Sequence, residues 1–387
     1  MKKIAVSSAL CALLALPSVG LGMKVYDDDG KSLDFYGSVR GVVGGGAPVG
    51  NAGNAAGGAL PGYGTYIAGL QNNTHFGFNF KSGKVSGKIE VGMREGGALG
   101  SASGNDAGFR YFWGTYDFGG AGKLSFGKIG TVTAEGGFTS DFNNNNSAGQ
   151  GFGSVVMASR HLQLQYQISS FTIQLIQDNT TIGNGGTFTP LSYSATPRVA
   201  VAWTPKIENL KLKVAATIKQ YSRVDSGLGL TNGANATAWH IIAGVRPTFG
   251  SSYLSFVINY GINGHLYAEQ ATNASNGQYG YNNLNATAGL DAKRLGAHLE
   301  YGLGLGSTTK LVIGAGYQLT YGGVGQSGAA TTRDINAAKV FIQLPIKPSK
   351  EFTFAPQISY MDTAVTTTTG TNHISGAVGM VRIMYDF

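Results

Sequence analysis

The chain has 387 residues, of which 42% are hydrophobic, only 12% are charged and 61 are glycine. A soluble domain carries about 25% charge and about 7% glycine, so polar uncharged side chains must supply this protein's contact with water. The formal charge of +8 is spread along the chain, whereas nucleic-acid binding clusters its basic residues, and no nucleic acid is expected as a partner.

Met1 to Gly22 reads as a secretory signal peptide: Lys2 and Lys3 precede the mostly apolar run Ile4 to Leu16, then come Pro17 and the small residues Gly20 and Gly22. Cleavage is expected after Gly22. The run is shorter than the about 20 apolar residues that a membrane helix needs. Cys11, the only cysteine, leaves with the signal, since Leu10 before it is too large for a lipoprotein site. The mature chain then has no disulfide and no thiol chemistry, as suits a periplasmic or outer-membrane setting. Its 26 basic and 20 acidic residues leave a net charge of +6.

After the signal no window sustains a helical apolar period, and alternation recurs instead. Leu33 to Val43 puts Leu33, Phe35, Gly37 and Val39 on one face, with Asp34, Tyr36, Ser38 and Arg40 on the other. A long loop runs to about Asn73. His75 to Ser82 then turns into Val85 to Arg94, Phe109 to Asp117 into Lys123 to Ile129, and His161 to Ser169 into Phe171 to Gln177. Pro197 to Pro205 pairs with Leu210 to Tyr221, and Trp239 to Phe249 with Tyr253 to Gly261. Asn283 to Leu290 alternates weakly and is read as an extension of the loop leading into Arg294 to Leu303. Lys310 to Tyr321, Ala337 to Ile346, Phe352 to Tyr360 and Ile374 to Phe387 complete about sixteen strands.

Short turns alternate with long loops, and strand ends carry Trp113, Tyr166, Trp203, Trp239, Tyr260, Tyr301, Tyr317 and Tyr360 as interfacial girdles would. These features predict an all-β, transmembrane antiparallel β-barrel with short periplasmic turns and long extracellular loops. In hydrocarbon every backbone N–H and C=O must be paired, so the last strand should close on the first. In that last strand Ala377, Gly379, Val381, Ile383, Tyr385 and Phe387 share one face, and Arg382 and Asp386 lie on the other.

That ending, with Phe387 as the final residue, resembles the closing strand of the Gram-negative outer-membrane general diffusion porins. Val25-Tyr26-Asp27-Asp28-Asp29-Gly30 and Leu33-Asp34-Phe35-Tyr36-Gly37 are similar to the beginning of the same trimeric family. Arg382 stands where that family's insertion signal often has a glycine. The resemblance implies passive diffusion of small hydrophilic solutes, a homotrimer, and an outer membrane whose lipid and lipopolysaccharide surround the barrel. It also implies a constriction loop folded inward at about Gly130 to Ser159. Glu135 and Asp141 on that loop are expected to face a basic wall of Arg40, Lys88, Arg110 and Lys128 across a narrow aqueous gap.

Once the apolar faces are assigned to lipid, Arg94, Arg198, Lys211, Lys213, Lys219, Arg246 and Arg382 line the lumen, with few acidic residues among them. Such a lumen should prefer anions. Two other readings remain open: an adhesive barrel with a plugged lumen, and a channel selective for phosphate or sugars along Lys211, Lys213 and Lys219. An enzyme is not expected, because the six histidines show no i, i+4 pairing and no Gly-x-Ser-x-Gly elbow occurs. Neither metal nor cofactor is expected. Gly323, Gly325 and Gly328 spell Gly-x-Gly-x-x-Gly without a helix to follow, and His298 beside Glu300 gives too few ligands.

Overall fold

The computed structural model describes residues 22–49, 66–71, 74–94, 106–133, 137–142, 160–177, 196–224, 234–263, 293–322, 334–367 and 370–387. The expected signal peptide, Glu135 and the Asn283 to Leu290 stretch lie outside them.

In chain order the strands are β1 (Met23–Asp28), β2 (Lys31–Val49), β3 (Tyr66–Leu70), β4 (Thr74–Ser82), β5 (Val85–Arg94), β6 (Asp106–Asp117), β7 (Lys123–Gly130), β8 (Arg160–Ile168), β9 (Phe171–Ile176) and β10 (Arg198–Trp203). They continue as β11 (Lys206–Ile207), β12 (Leu210–Val224), β13 (Ala234–Phe249), β14 (Ser252–Ile262), β15 (Lys293–Gly304), β16 (Lys310–Tyr321), β17 (Asp334–Gln343), β18 (Phe352–Thr367) and β19 (Gly370–Asp386). All 19 belong to one antiparallel sheet. Three are short pieces that prolong a neighbour: β3 continues β4 along β2, β11 continues β10 along β12, and β1 lies on β2 below the end of β19. Sixteen spanning positions remain, and the ring closes because β19 pairs with β2 from Ser375↔Val49 to Asp386↔Ser38.

Closure extends to the last residue. Gly37 and Phe387 exchange two backbone hydrogen bonds of 2.7 and 3.0 Å, and the Phe387 ring lies 5.6 Å from that of Phe35. The ring covers the place where a Cβ on Gly37 would stand, so a side chain there would have to displace it. The pairing begins at Gly37 instead of Leu33, because β1 occupies the β2 edge from Lys31 to Phe35.

Alternation sorts the side chains as the sequence requires. On β18 Phe352, Phe354, Ile358 and Tyr360 are exposed, whereas Thr353, Ala355, Gln357 and Ser359 are buried. Outward residues such as Phe126, Phe249 and Ile358 are 61%, 63% and 63% exposed. A belt of that size is the face that a barrel presents to lipid, since soluble proteins keep contiguous apolar patches small. Aromatic girdles mark its ends: Trp239 meets Tyr260 at 5.7 Å and Lys293 lies over Tyr321 where strands meet the long connections, and Tyr116 meets Phe118 at 4.8 Å beside a short turn.

Two expectations change. β18 and β19 run to Thr367 and from Gly370, so a two-residue connection replaces the expected long loop. The β-branched run of threonines favours extended backbone and prolongs the hairpin. Trp113 leaves the girdle for the inner face, opposite Lys88 and Gly127. The cause is a β-bulge on β6: Glu90 pairs with Tyr111 and Val91 with Phe109, which leaves Arg110 as the extra residue. The bulge reverses parity for the rest of that strand.

Candidate pore lining and the segment docked inside it

β7 leads into a segment that runs around the inner wall, across the strands. It starts where the Val132 N–H donates to Gln174 Oε1 on β9 at 2.9 Å. Gly137, at a φ of 88° that glycine adopts readily, then offers its carbonyl to Lys211 Nζ at 3.2 Å and to an Arg246 nitrogen at 3.0 Å. Phe138 is buried among Ala202, Ala215, Ile242 and Val257. These four are inward apolar residues on β10, β12, β13 and β14, positions where a water-filled barrel would carry polar groups. Gly244 leaves room beside them, since a Cβ there would come within 3.0 Å of the Phe138 ring.

Polar anchors follow the seat. Ser255 Oγ donates to the Phe138 carbonyl, Thr139 Oγ1 donates to Glu300 at 2.8 Å, and the Ser140 N–H donates to the same carboxylate at 2.8 Å. Tyr253 holds the other Glu300 oxygen through its hydroxyl. Asp141 receives Lys339 Nζ at 2.6 and 2.7 Å and Gln357 Nε2 at 2.7 Å. The described part of the segment reaches Phe142, whose ring lies 4.5 Å from the Arg382 guanidinium. Two buried carboxylates, one from the wall and one from the segment, thus fix a strip of backbone along β12 to β19. Each is fully engaged, as a buried charge must be.

The wall from β2 to β8 carries a different group. Glu90 sits at its centre and accepts from Tyr36 Oη at 2.8 Å, with Lys88 Nζ at 3.1 Å and Arg110 Nε at 2.8 Å. Lys88 Nζ lies 4.7 Å from the Tyr36 ring and 4.8 Å from that of Tyr111. The Arg160 guanidinium also lies over Tyr111, 4.7 Å from the ring centre. Arg40 is held by Ser38, which donates in turn to Asp386. The β6 bulge is what brings Arg110 and Tyr111, two consecutive residues, to the same inner face.

Arg40, Lys88 and Arg110 therefore meet on one inner wall. Lys128 does not join them: it pairs in register with Phe112 and Leu162, 55% and 45% exposed, and so shares the outward face of β7 with Leu124 and Phe126. Asp141 does not look across a gap at that wall either, because its charge is spent on Lys339. Arg94 ends β5 opposite Asp106. Arg198 is fully buried on the inner face of β10, and Lys219 Nζ donates to the Thr196 carbonyl at 2.6 Å. Lys213 pairs with Gly244, on the same inner face as Lys211 and Arg246. Arg382 caps the docked segment. Sequence reading passed over Arg160, Tyr111 and the anchoring roles of Glu300, Lys339 and Gln357. For Arg110 and Tyr111 a signal existed: Phe109 and Phe112, three apart and both outward, break strict alternation.

No family model matches the chain, and no curated protein matches it by sequence. Solved structures do. The outer membrane channel DcaP of Acinetobacter baumannii matches with a TM-score of 0.65 at 14% identity, over 95% of this chain and 100% of that one. OmpF of Salmonella typhi, solved in complex with daunomycin, matches at 0.58 and 14% identity, over 94% and 100%. OmpT of Vibrio cholerae, an outer membrane protein described in a trimer form, matches at 0.56 and 14% identity, over 93% and 100%. The chain has the fold of these outer-membrane barrels.

Proposed function

We propose that the protein is a channel in the outer membrane of a Gram-negative bacterium, reached through the Met1 to Gly22 signal, that lets small hydrophilic solutes diffuse passively and prefers anions. The observation that carries this reading is the unequal distribution of charge around the lumen. Arg40, Lys88, Arg110 and Arg160 share the β2 to β8 wall with one central carboxylate, Glu90, while Asp141 of the docked segment and Glu300 beneath it are buried. A solute passing between that segment and the wall meets cations on the wall, whereas Asp141, the acid among the segment's described residues, is turned towards Lys339. The low-dielectric barrel focuses such a field onto the aqueous path. A difference of about 1.4 kcal/mol between anion and cation suffices for tenfold discrimination.

Arg40, Lys88 and Arg110 are the constriction residues in this reading, with the docked segment as the narrowing element. Lys211, Lys213 and Arg246 supply positive lining beside it, and Arg94, Arg198, Lys219 and Arg382 add positive charge to the inner wall. A homotrimer embedded in lipid and lipopolysaccharide is the assembly that this fold supports, with the trimeric OmpT form as precedent. Swelling of liposomes that contain the purified protein tests the channel: sugars of increasing size should enter at falling rates. An absence of swelling with every solute would favour a plugged, adhesive barrel and reject the proposal.

A further inference from the structure

Around Tyr111 the inner wall is more specifically arranged than diffuse anion preference requires. The Arg160 guanidinium lies on the Tyr111 ring at 4.7 Å, its Nε is buried, and among the described residues that nitrogen has no hydrogen-bond partner. No carboxylate pairs with Arg160 among the described residues. Arg110 adjoins the same ring in sequence and is close enough to Arg160 for their like charges to repel. Glu90 cannot relieve this repulsion, because Lys88, Arg110 and Tyr36 already occupy it. Lys88 is clamped between Tyr36 and Tyr111, which also fixes the ring on which Arg160 rests.

We propose that Arg110 and Arg160, flanking Tyr111, form a binding step for divalent oxyanions on the path through the channel, a proposal that rests on the anion-channel reading above. Two guanidiniums held near a rigid aromatic ring are complementary to a solute with two negative charges on oxygen. Each planar fork matches a pair of oxygens, and the divalent charge relieves the repulsion that a single chloride only halves. Preorganisation by stacking reduces the ordering cost of binding. Glu90 sets the spacing by holding Arg110, and it limits affinity so that the solute leaves again, as conduction requires. The recognised chemistry is common to phosphate monoesters, inorganic phosphate and dicarboxylates, and sulfate is a probe that stays divalent at any working pH.

The test uses the full-length protein in planar bilayers, in potassium chloride, with potassium sulfate added at constant ionic strength. Chloride current should fall along a saturable curve. Arg160→Gln should raise the half-blocking sulfate concentration about tenfold, the effect of losing roughly one charge-assisted contact. Arg160→Lys, which keeps the charge and loses the fork, should weaken the block several-fold, while Lys128→Gln on the outer face should leave it as in the wild type. The proposal is overturned if sulfate lowers the current only in proportion to the chloride replaced, or if Arg160→Gln and Arg160→Lys block like the wild type. A cation-selective reversal potential in the same recordings would overturn the anion-channel reading and this proposal with it.

Discussion

Replacing Lys339 by methionine isolates the docked segment from the barrel that holds it. Asp141 and Lys339 have side chains 0% and 2% exposed and meet at 2.6 Å. Removing one partner of such a pair leaves an uncompensated buried charge, at a cost of about 3 to 5 kcal/mol. No strand pairing is touched, so the cost falls on the segment, whose remaining anchors are Glu300, Ser255 and the Phe138 seat. At about 1.4 kcal/mol per factor of ten, the ratio of docked to released segment should drop by roughly 100-fold or more. Single-channel recordings should show this as added open-channel noise, and liposome swelling should admit larger sugars. In the double variant Asp141→Leu with Lys339→Met neither charge remains, and docking should return most of the way to wild type. Wild-type noise and size limit in Lys339→Met would refute the assignment of this pair as the anchor.

Gly37→Val should strike the Phe387 ring and weaken closure by about 1 to 3 kcal/mol, measured as a lower thermal melting point of the folded barrel in detergent. Ile358→Arg, on the belt, should cost about 2 to 4 kcal/mol at mid-bilayer, read by denaturant titration in lipid vesicles, whereas the inward Ser359→Thr should change little. Arg110→Glu should move the reversal potential towards cations, and an unchanged potential would place Arg110 outside the conducting path.

Much of the architecture was visible because lipid on one side and water on the other impose strict alternation. Ile374 to Phe387 and Leu33 to Val43 displayed their faces, and the demand for closed backbone pairing joined them. What escaped were features that depend on residues far apart. Asp141 finds Lys339 198 positions away, and nothing local distinguishes a carboxylate that faces a pore from one turned into the wall. Ile242 and Val257 stand at inward positions that look misplaced until Phe138 covers them. The β6 bulge adds one residue, so counting by twos placed Trp113 at the lipid interface and passed over Tyr111. Lys128 illustrates the opposite lapse: the alternation of Leu124 and Phe126 already assigned it outward, and the resemblance alone put it on a wall that its strand does not allow.

The reversal potential of the wild-type protein, measured across a planar bilayer under a tenfold gradient of potassium chloride, reaches the central claim most directly. A lumen whose wall sets Arg40, Lys88, Arg110 and Arg160 against one carboxylate, Glu90, should give a potential displaced towards that of chloride. Displacement towards the potassium potential, or a barrel that folds into the bilayer and passes no current, would contradict the account.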